Sequence, residues 1–331
     1  MHGALNAAIF LDQGNHRFIK DPDWGEILKQ IQIGAPTLED LQKINQQLVS
    51  LVPLPDNIDC CETRIVYGCY TNKRRNEITD TCFLNFVKGN EPIFDSNLEP
   101  STLTLLIKGS LSKDGKDMGP EFHKFIWSMC GDDNLSAGSN TKVDPCLKLI
   151  QGSPLMINSN TGKDKNLVKG TLGNFVNVRW KSGHQPHLEN YHGFKVRAAN
   201  IADIECIIMR VEANNRIVEL RPELTEVDIK HGVLGGKNRL KKFKVLQIPV
   251  NFSLATTGHK LQGMTKDILI LAELSLVPNW LYVVLSRVTT LKGLYLMKPP
   301  TLNMFQPISK QLQQELDFLK NLEAQLMKKL S

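Results

Sequence analysis

The sequence lacks a Cys-x-x-Cys pair, and its cysteines (Cys60, Cys61, Cys69, Cys82, Cys130, Cys146 and Cys206) number seven, an odd set. Neither a disulfide framework nor a zinc ribbon is supported, and a reducing compartment fits best. The opening stretch MHGALNAAIFLDQGNHRF holds no basic region followed by a long apolar run, so no secretory leader is read there. Long hydrophobic runs are missing as well: the longest apolar stretch, 268–285, is interrupted by Glu273, Pro278 and Asn279, which argues against a membrane span. No internal repeat is visible. A large charge of one sign is also absent. Forty Lys and Arg against 34 Asp and Glu leave +6, too little for a mass binder of polyanions but compatible with a local phosphate groove. Three histidines, His184, His187 and His192, sit in a Gly/Pro-flanked loop with no cysteine at ligand spacing, so they read as surface residues and no metal ligand is predicted. These absences point to a soluble, intracellular protein without a membrane partner.

What is present is ordinary for a folded chain: 41% hydrophobic and 22% charged residues over 331 positions, enough for two compact domains. Residues 7–11 (AAIFL) read as a strand, and 23–32 and 37–48 as helices capped by Asp21 and Thr37. A strand over 63–71 and a helix over 73–86 follow, which is α/β grammar. From 89 to 145 the chain is crowded with Gly, Pro, Ser, Asp and Asn, and reads as irregular apart from a helix around 121–130. Between 154 and 249 five strand-like runs recur between Gly and Asn turns, which suggests a small antiparallel barrel. The α/β grammar then returns with DILIL (267–271) as a buried parallel strand, a helix at 280–287 and a strand at 293–297. In the tail Ile308, Leu312, Leu316, Leu319, Leu322, Leu326 and Leu330 recur at steps of three or four, an amphipathic helix expected to dock on its parent domain.

The strongest local signal is Thr256–Thr265, TTGHKLQGMT: two glycines allow close approach of backbone to phosphate, and hydroxyl, imidazole, ammonium and amide donors cluster between them. Alone it would be a polar surface loop. Seventeen residues beyond its end begins YVVLSR (282–287), an apolar helix presenting Arg287; alone, such an arginine is usually a surface ion pair. Together, TTGHKLQGMT and NWLYVVLSRVTTLKGLYL resemble motifs V and VI of the PIF-type and RecD-like superfamily 1 DNA helicases. IFLDQGNHRF resembles motif IV, DPDWGEILKQIQIGAPTLEDLQKIN the helical segment after it, and IVYGCYTNKRRNEI the strand ending in Thr-Asn. The stretch 144–178 resembles the opening of the family's small SH3-like barrel. Leu261 departs from the family, in which a small residue is common.

The resemblance implies an α/β fold, a RecA-like second motor domain (1–93 and 246–300) with an inserted SH3-like β-barrel (147–245), an irregular connection (94–146) and a C-terminal amphipathic helix (301–331). It implies that Arg17 and Arg287 point at the γ-phosphate of ATP, and that Thr257, His259, Lys260, Gln262 and Gly263 lie along single-stranded DNA with Asn72 nearby. For Asn72 the bland alternative is a cap on the helix that follows. ATP and Mg2+ are the implied cofactors; single-stranded DNA and a first RecA-like motor domain are the implied partners, with a nuclear location and roles in DNA repair, recombination and telomere maintenance. Yet no G-x-x-x-x-G-K-[ST] occurs, nor a matching acidic pair. In GSLSKDGKD (109–117) the glycines stand one position too far apart and Asp117 replaces the hydroxyl; GGKN (235–238) and TGKD (161–164) fail similarly. The expectation is therefore the carboxy-terminal portion of a longer helicase gene, carried by a mobile element, with a stand-alone nucleic-acid-binding module as the alternative and an interaction protein recruited through its leucine-striped tail as a third. Lys230, Lys237, Arg239, Lys241, Lys242 and Lys244, with no acid from 229 to 248, form either a solvated loop or a DNA patch.

Overall fold

The structure is a computed structural model that describes residues 16–54, 65–89, 103–113, 115–121, 135–137, 144–160, 167–230 and 240–306, and in the tail 309, 311, 314–315, 317–319, 321–322 and 324–325. The chain divides into two compact units, residues 1–54 with 261–331, and residues 55–260. The strand expected over 7–11 and all but the first residue of the helix expected over 121–130 lie outside the described residues.

The first unit opens with α1 (Pro22–Gln32) and α2 (Leu38–Asn45). Both caps are those the sequence suggests. The Asp21 side chain accepts from Trp24 N–H at 3.0 Å with Pro22 at the first helical position, and Thr37 and Asp40 form a reciprocal capping box. Trp24, Ile27, Leu28 and Ile31 recur at helical spacing and are all buried.

The second unit begins with β1 (Ile65–Cys69) and α3 (Asn72–Gly89), the expected strand-to-helix step. Next come β2 (Thr104–Lys108), β3 (Ser110–Lys113), β4 (Lys116–Asp117) and β5 (Leu135–Ala137). These strands correct the irregular reading of 94–146. Leu105, Leu106 and Ile107 are fully buried because β2 is flanked on both sides within its sheet, a fact hidden by the Gly, Ser and Asp residues that crowd the run. Then follow β6 (Cys146–Ile150), β7 (Pro154–Ile157), β8 (Leu172–Trp180), β9 (His187–Tyr191), β10 (Phe194–Asn200), β11 (Ile204–Val211), β12 (Ile217–Leu220), β13 (Glu223–Lys230), β14 (Leu240–Gln247), β15 (Val250–Phe252) and β16 (Ala255–Thr257).

The antiparallel pairing expected here is present, but the strands form open sheets, and no closed barrel is found among the described residues. β12-β11-β8-β7-β15 is antiparallel throughout. The other strands find partners in the stretch read as irregular: β2 joins β6 to β10 in the order β6-β2-β10-β9, and β3 pairs with β14 in β4-β3-β14-β13-β5. β2 thus stands between β6 and β10, and β3 flanks β14. β16 pairs in parallel with β1, with Cys69 opposite Thr257. Phe83 and Val87 of α3 enter the core formed by β2, β6, β7, β8, β10 and β11.

The one-turn helix α4 (Gly258–Leu261) follows β16. The first unit then continues with β17 (Ile268–Leu271), α5 (Trp280–Leu285) and β18 (Leu294–Leu296). β17 and β18 are parallel and buried, as DILIL and GLYLM suggest. α1 packs on α5, and the Trp24 indole N–H donates to the Val288 carbonyl at 3.1 Å. The other carboxylate oxygen of Asp21 accepts from Leu291 N–H at 2.9 Å, so one cap fixes two segments. In the tail, described residues between 311 and 325 are helical, with Leu319 and Leu322 half-buried. Leu312, Leu316, Leu326 and Leu330 lie outside the described side chains. No helix among the described residues is long and apolar enough to cross a membrane.

Candidate nucleic-acid interface

In the unit 55–260, the parallel register carries the chain out of β1 and β16 at the same end. Cys69 is opposite Thr257, so Tyr70, Thr71 and Asn72 leave one strand beside Gly258, His259 and Lys260 leaving the other. Carboxyl ends of adjacent parallel strands are where α/β folds place ligand-binding loops. Here the structure brings together Asn72, Thr257, His259 and Lys260. The helix cap is Thr71, not Asn72: Thr71 Oγ1 accepts from Arg74 N–H at 3.2 Å. That removes the bland role for Asn72, whose half-buried side chain makes no hydrogen bond among the described residues, and the same holds for Thr257 and for the exposed His259.

In the other unit, Leu261 is fully buried, so the larger side chain at this departing position is spent on the core. Gln262 and Gly263 are exposed, and Gly263 takes φ +80° with open space around it, a turn that suits glycine. Just beyond, the Met264 carbonyl and Thr265 Oγ1 both accept from Arg17 Nη2, the latter at 3.0 Å. Sequence reading singled out Arg17 but missed these acceptors, although Thr265 closes the quoted motif. Arg287, just past α5, donates from Nε to the Val283 carbonyl and from Nη2 to Ser286 Oγ, both at 2.7 Å.

The two arginines are electrostatic neighbours. Burial pushes both guanidiniums below the ordinary arginine value, the charge of Arg287 lowers Arg17 further, and Tyr282 acts on both in the opposite sense. Neither has a carboxylate within ion-pair distance among the described residues, and Arg17 Nε is buried without a hydrogen-bond partner. The surface-ion-pair reading therefore fails for Arg287. Two half-buried cations held only by neutral acceptors can receive an anion, and guanidinium geometry favours phosphate or carboxylate.

The other sequence candidates are more ordinary. Across the β13–β14 ladder Glu226 stands opposite Lys244 and Asp228 opposite Lys242 in backbone register, so part of the basic run lies beside acidic positions; Lys237 and Arg239 lie outside the described residues. His184 Nδ1 lies 3.0 Å from Asp203, and His192 takes φ +49° in the tight β9–β10 turn with Gly193.

No protein-family model and no curated protein matches the sequence. Solved structures do match: the fold, mixed α/β with parallel strands, is like that of helicases. Those structures are Pif1 helicases. One from Candida albicans superposes with a TM-score of 0.52 at 15% identity over 93% of this chain and 59% of that chain. One from Bacteroides, in complex with ADP-AlF3 and ssDNA, gives 0.52 at 19% over 93% and 55%, and a Bacteroides Pif1 bound to ssDNA gives 0.50 at 18% over 92% and 55%. The chain thus spans little more than half the length of the helicases it matches, and at these identities the likeness is one of fold, that of the carboxy-terminal half of a Pif1-type helicase.

Proposed function

We propose that this chain is the second motor half of an ATP-dependent DNA helicase of the PIF type. Residues 1–93 and 246–300 act as the RecA-like domain, and residues 147–245 supply strands of the domain inserted into it. In this reading Arg17 and Arg287 reach the γ-phosphate of an ATP whose phosphate cradle and Mg2+ ligands come from a first motor domain. Asn72, Thr257, His259, Lys260, Gln262 and Gly263 hold single-stranded DNA. The observation that carries the reading is the pair of arginines: both are partly desolvated, set near each other, and without an acidic partner among the described residues. A developing negative charge on a transferring phosphoryl group is the kind of charge such a pair stabilises.

The test is ATP hydrolysis. The isolated chain, with or without single-stranded DNA, should show no turnover above background, because its sequence contains no G-x-x-x-x-G-K-[ST] from which a phosphate cradle could form. Supplied with a first motor domain, it should hydrolyse ATP in a DNA-stimulated way, and Arg287→Ala should lower that rate by roughly 10³-fold or more. Turnover by the isolated chain that both Lys260→Ala and Arg287→Ala abolish would overturn the reading. DNA binding indifferent to nucleotide and to any first domain would favour a stand-alone binding module.

A further inference from the structure

Among the described residues of the unit 55–260, every Phe, Trp and Tyr side chain but one is buried or half-buried; the exception is Tyr70, 41% exposed. Singly exposed apolar residues are common on protein surfaces and carry no meaning by themselves. Tyr70 differs in where it is mounted. It follows Cys69, fully buried and in register with Thr257, and precedes Thr71, whose hydroxyl and carbonyl accept from Arg74 and Arg75 N–H. The ring therefore stands on backbone fixed from both sides, and a tyrosine has only two side-chain torsions left to order. It stands at the strand end that also carries Asn72, Thr257 and His259, polar groups not engaged with the rest of the described chain.

We propose that Tyr70 is a base-stacking platform, receiving one unpaired base of the DNA strand whose sugar-phosphate backbone runs past Asn72, Thr257 and His259. This rests on the single-stranded DNA reading above and adds to it a non-electrostatic contact. Every base offers a π-face, so the contact is indifferent to sequence.

The experiment compares the full chain on fluorescein-labelled oligo(dT) and on an abasic deoxyribose-phosphate oligomer of equal length, by anisotropy across a salt series. The wild type should prefer oligo(dT) by roughly 5- to 100-fold, Tyr70→Ala should bind both probes alike, and Tyr70→Trp should keep the preference. The salt slope should be unchanged in Tyr70→Ala, since a ring releases no counterions, whereas Lys260→Ala should lower it by about one. On the unaltered chain, an oligomer bearing 5-iododeoxyuridine should photo-crosslink to Tyr70. An oligo(dT) preference retained in Tyr70→Ala, or crosslinks only elsewhere, overturns the stacking role and leaves the DNA interface standing. Failure of the wild type to bind either probe overturns the interface itself.

Discussion

Arg17 and Arg287 are oriented by carbonyl and hydroxyl oxygens, and their mutual repulsion is left uncompensated by any acid among the described residues. A surface selected for stability alone would neutralise such a pair; one that must receive a phosphate group would not. Inorganic pyrophosphate should therefore raise the thermal midpoint of the wild-type chain, at roughly 1–2 °C per kcal/mol of ligand stabilisation for a protein of this size. The Arg17→Met/Arg287→Met double variant should start at an equal or higher midpoint and show no such rise. An equal rise in both proteins would place the anion elsewhere. Gly293 shows a different single-residue constraint: a Cβ there would lie 2.1 Å from the Asp267 carbonyl oxygen and 2.7 Å from Val288 Cγ2. The first contact is with backbone and cannot swing away. Gly293→Ala should cost about 2–4 kcal/mol in chemical denaturation, the upper end of overpacking effects; a loss below 0.5 kcal/mol would contradict the packing.

At the scale of elements, α3 links the candidate interface to the sheets. Its first residue is Asn72, and two turns later Asp80 meets the buried Lys148 of β6 at 2.8 Å, with Asp144 at 3.7 Å and Tyr191 of β9 donating its hydroxyl to Asp80 at 3.3 Å. Burial opposes the charge on Lys148, but Asp144 and Asp80 more than offset it and hold the ammonium well above its ordinary value. The sign follows: a raised lysine stabilises the fold below its unfolded value and loses that contribution only as pH rises past the folded one, so this tie persists through the neutral range. Asp80→Asn, which leaves a buried cation short of its nearest partner, should destabilise by about 3–5 kcal/mol, whereas Lys148→Met should cost less. Equal losses from the two changes would reduce the cluster to packing. The caps at Asp21 and Thr37, the strand-to-helix step at 65–89 and the parallel strands β17 and β18 were legible because their signals are local. β2 was not: its burial comes from β6 and β10, neither of which its own neighbourhood announces. The β9–β10 hairpin was hidden in the same way, since HLENY is mostly polar and its turn is made by His192 at positive φ.

For the whole molecule, the candidate site and the architecture were read from different signals. Arg17, Arg287, Asn72 and the 256–265 loop were singled out through their resemblance to helicase motifs, the loop also for its own two glycines and clustered donors. The acceptors that orient Arg17, and the exclusion of Asn72 as a cap, required coordinates. The expected barrel depended on which strands pair, a long-range property, and the strands of 104–117 changed it. With a net charge of only +6, the proposed attraction for nucleic acid would come from a local set of donors rather than from the overall field. The most direct test is the affinity of the full chain for oligo(dT) as a function of salt, for the wild type and for Lys260→Ala/Gln262→Ala. The account predicts weak binding that falls steeply with salt and is weakened in the double variant to the same extent on every base composition, with a shallower slope. Affinity equal to wild type at all salt concentrations would contradict the account, because the 256–265 loop would then not be part of the surface that holds DNA.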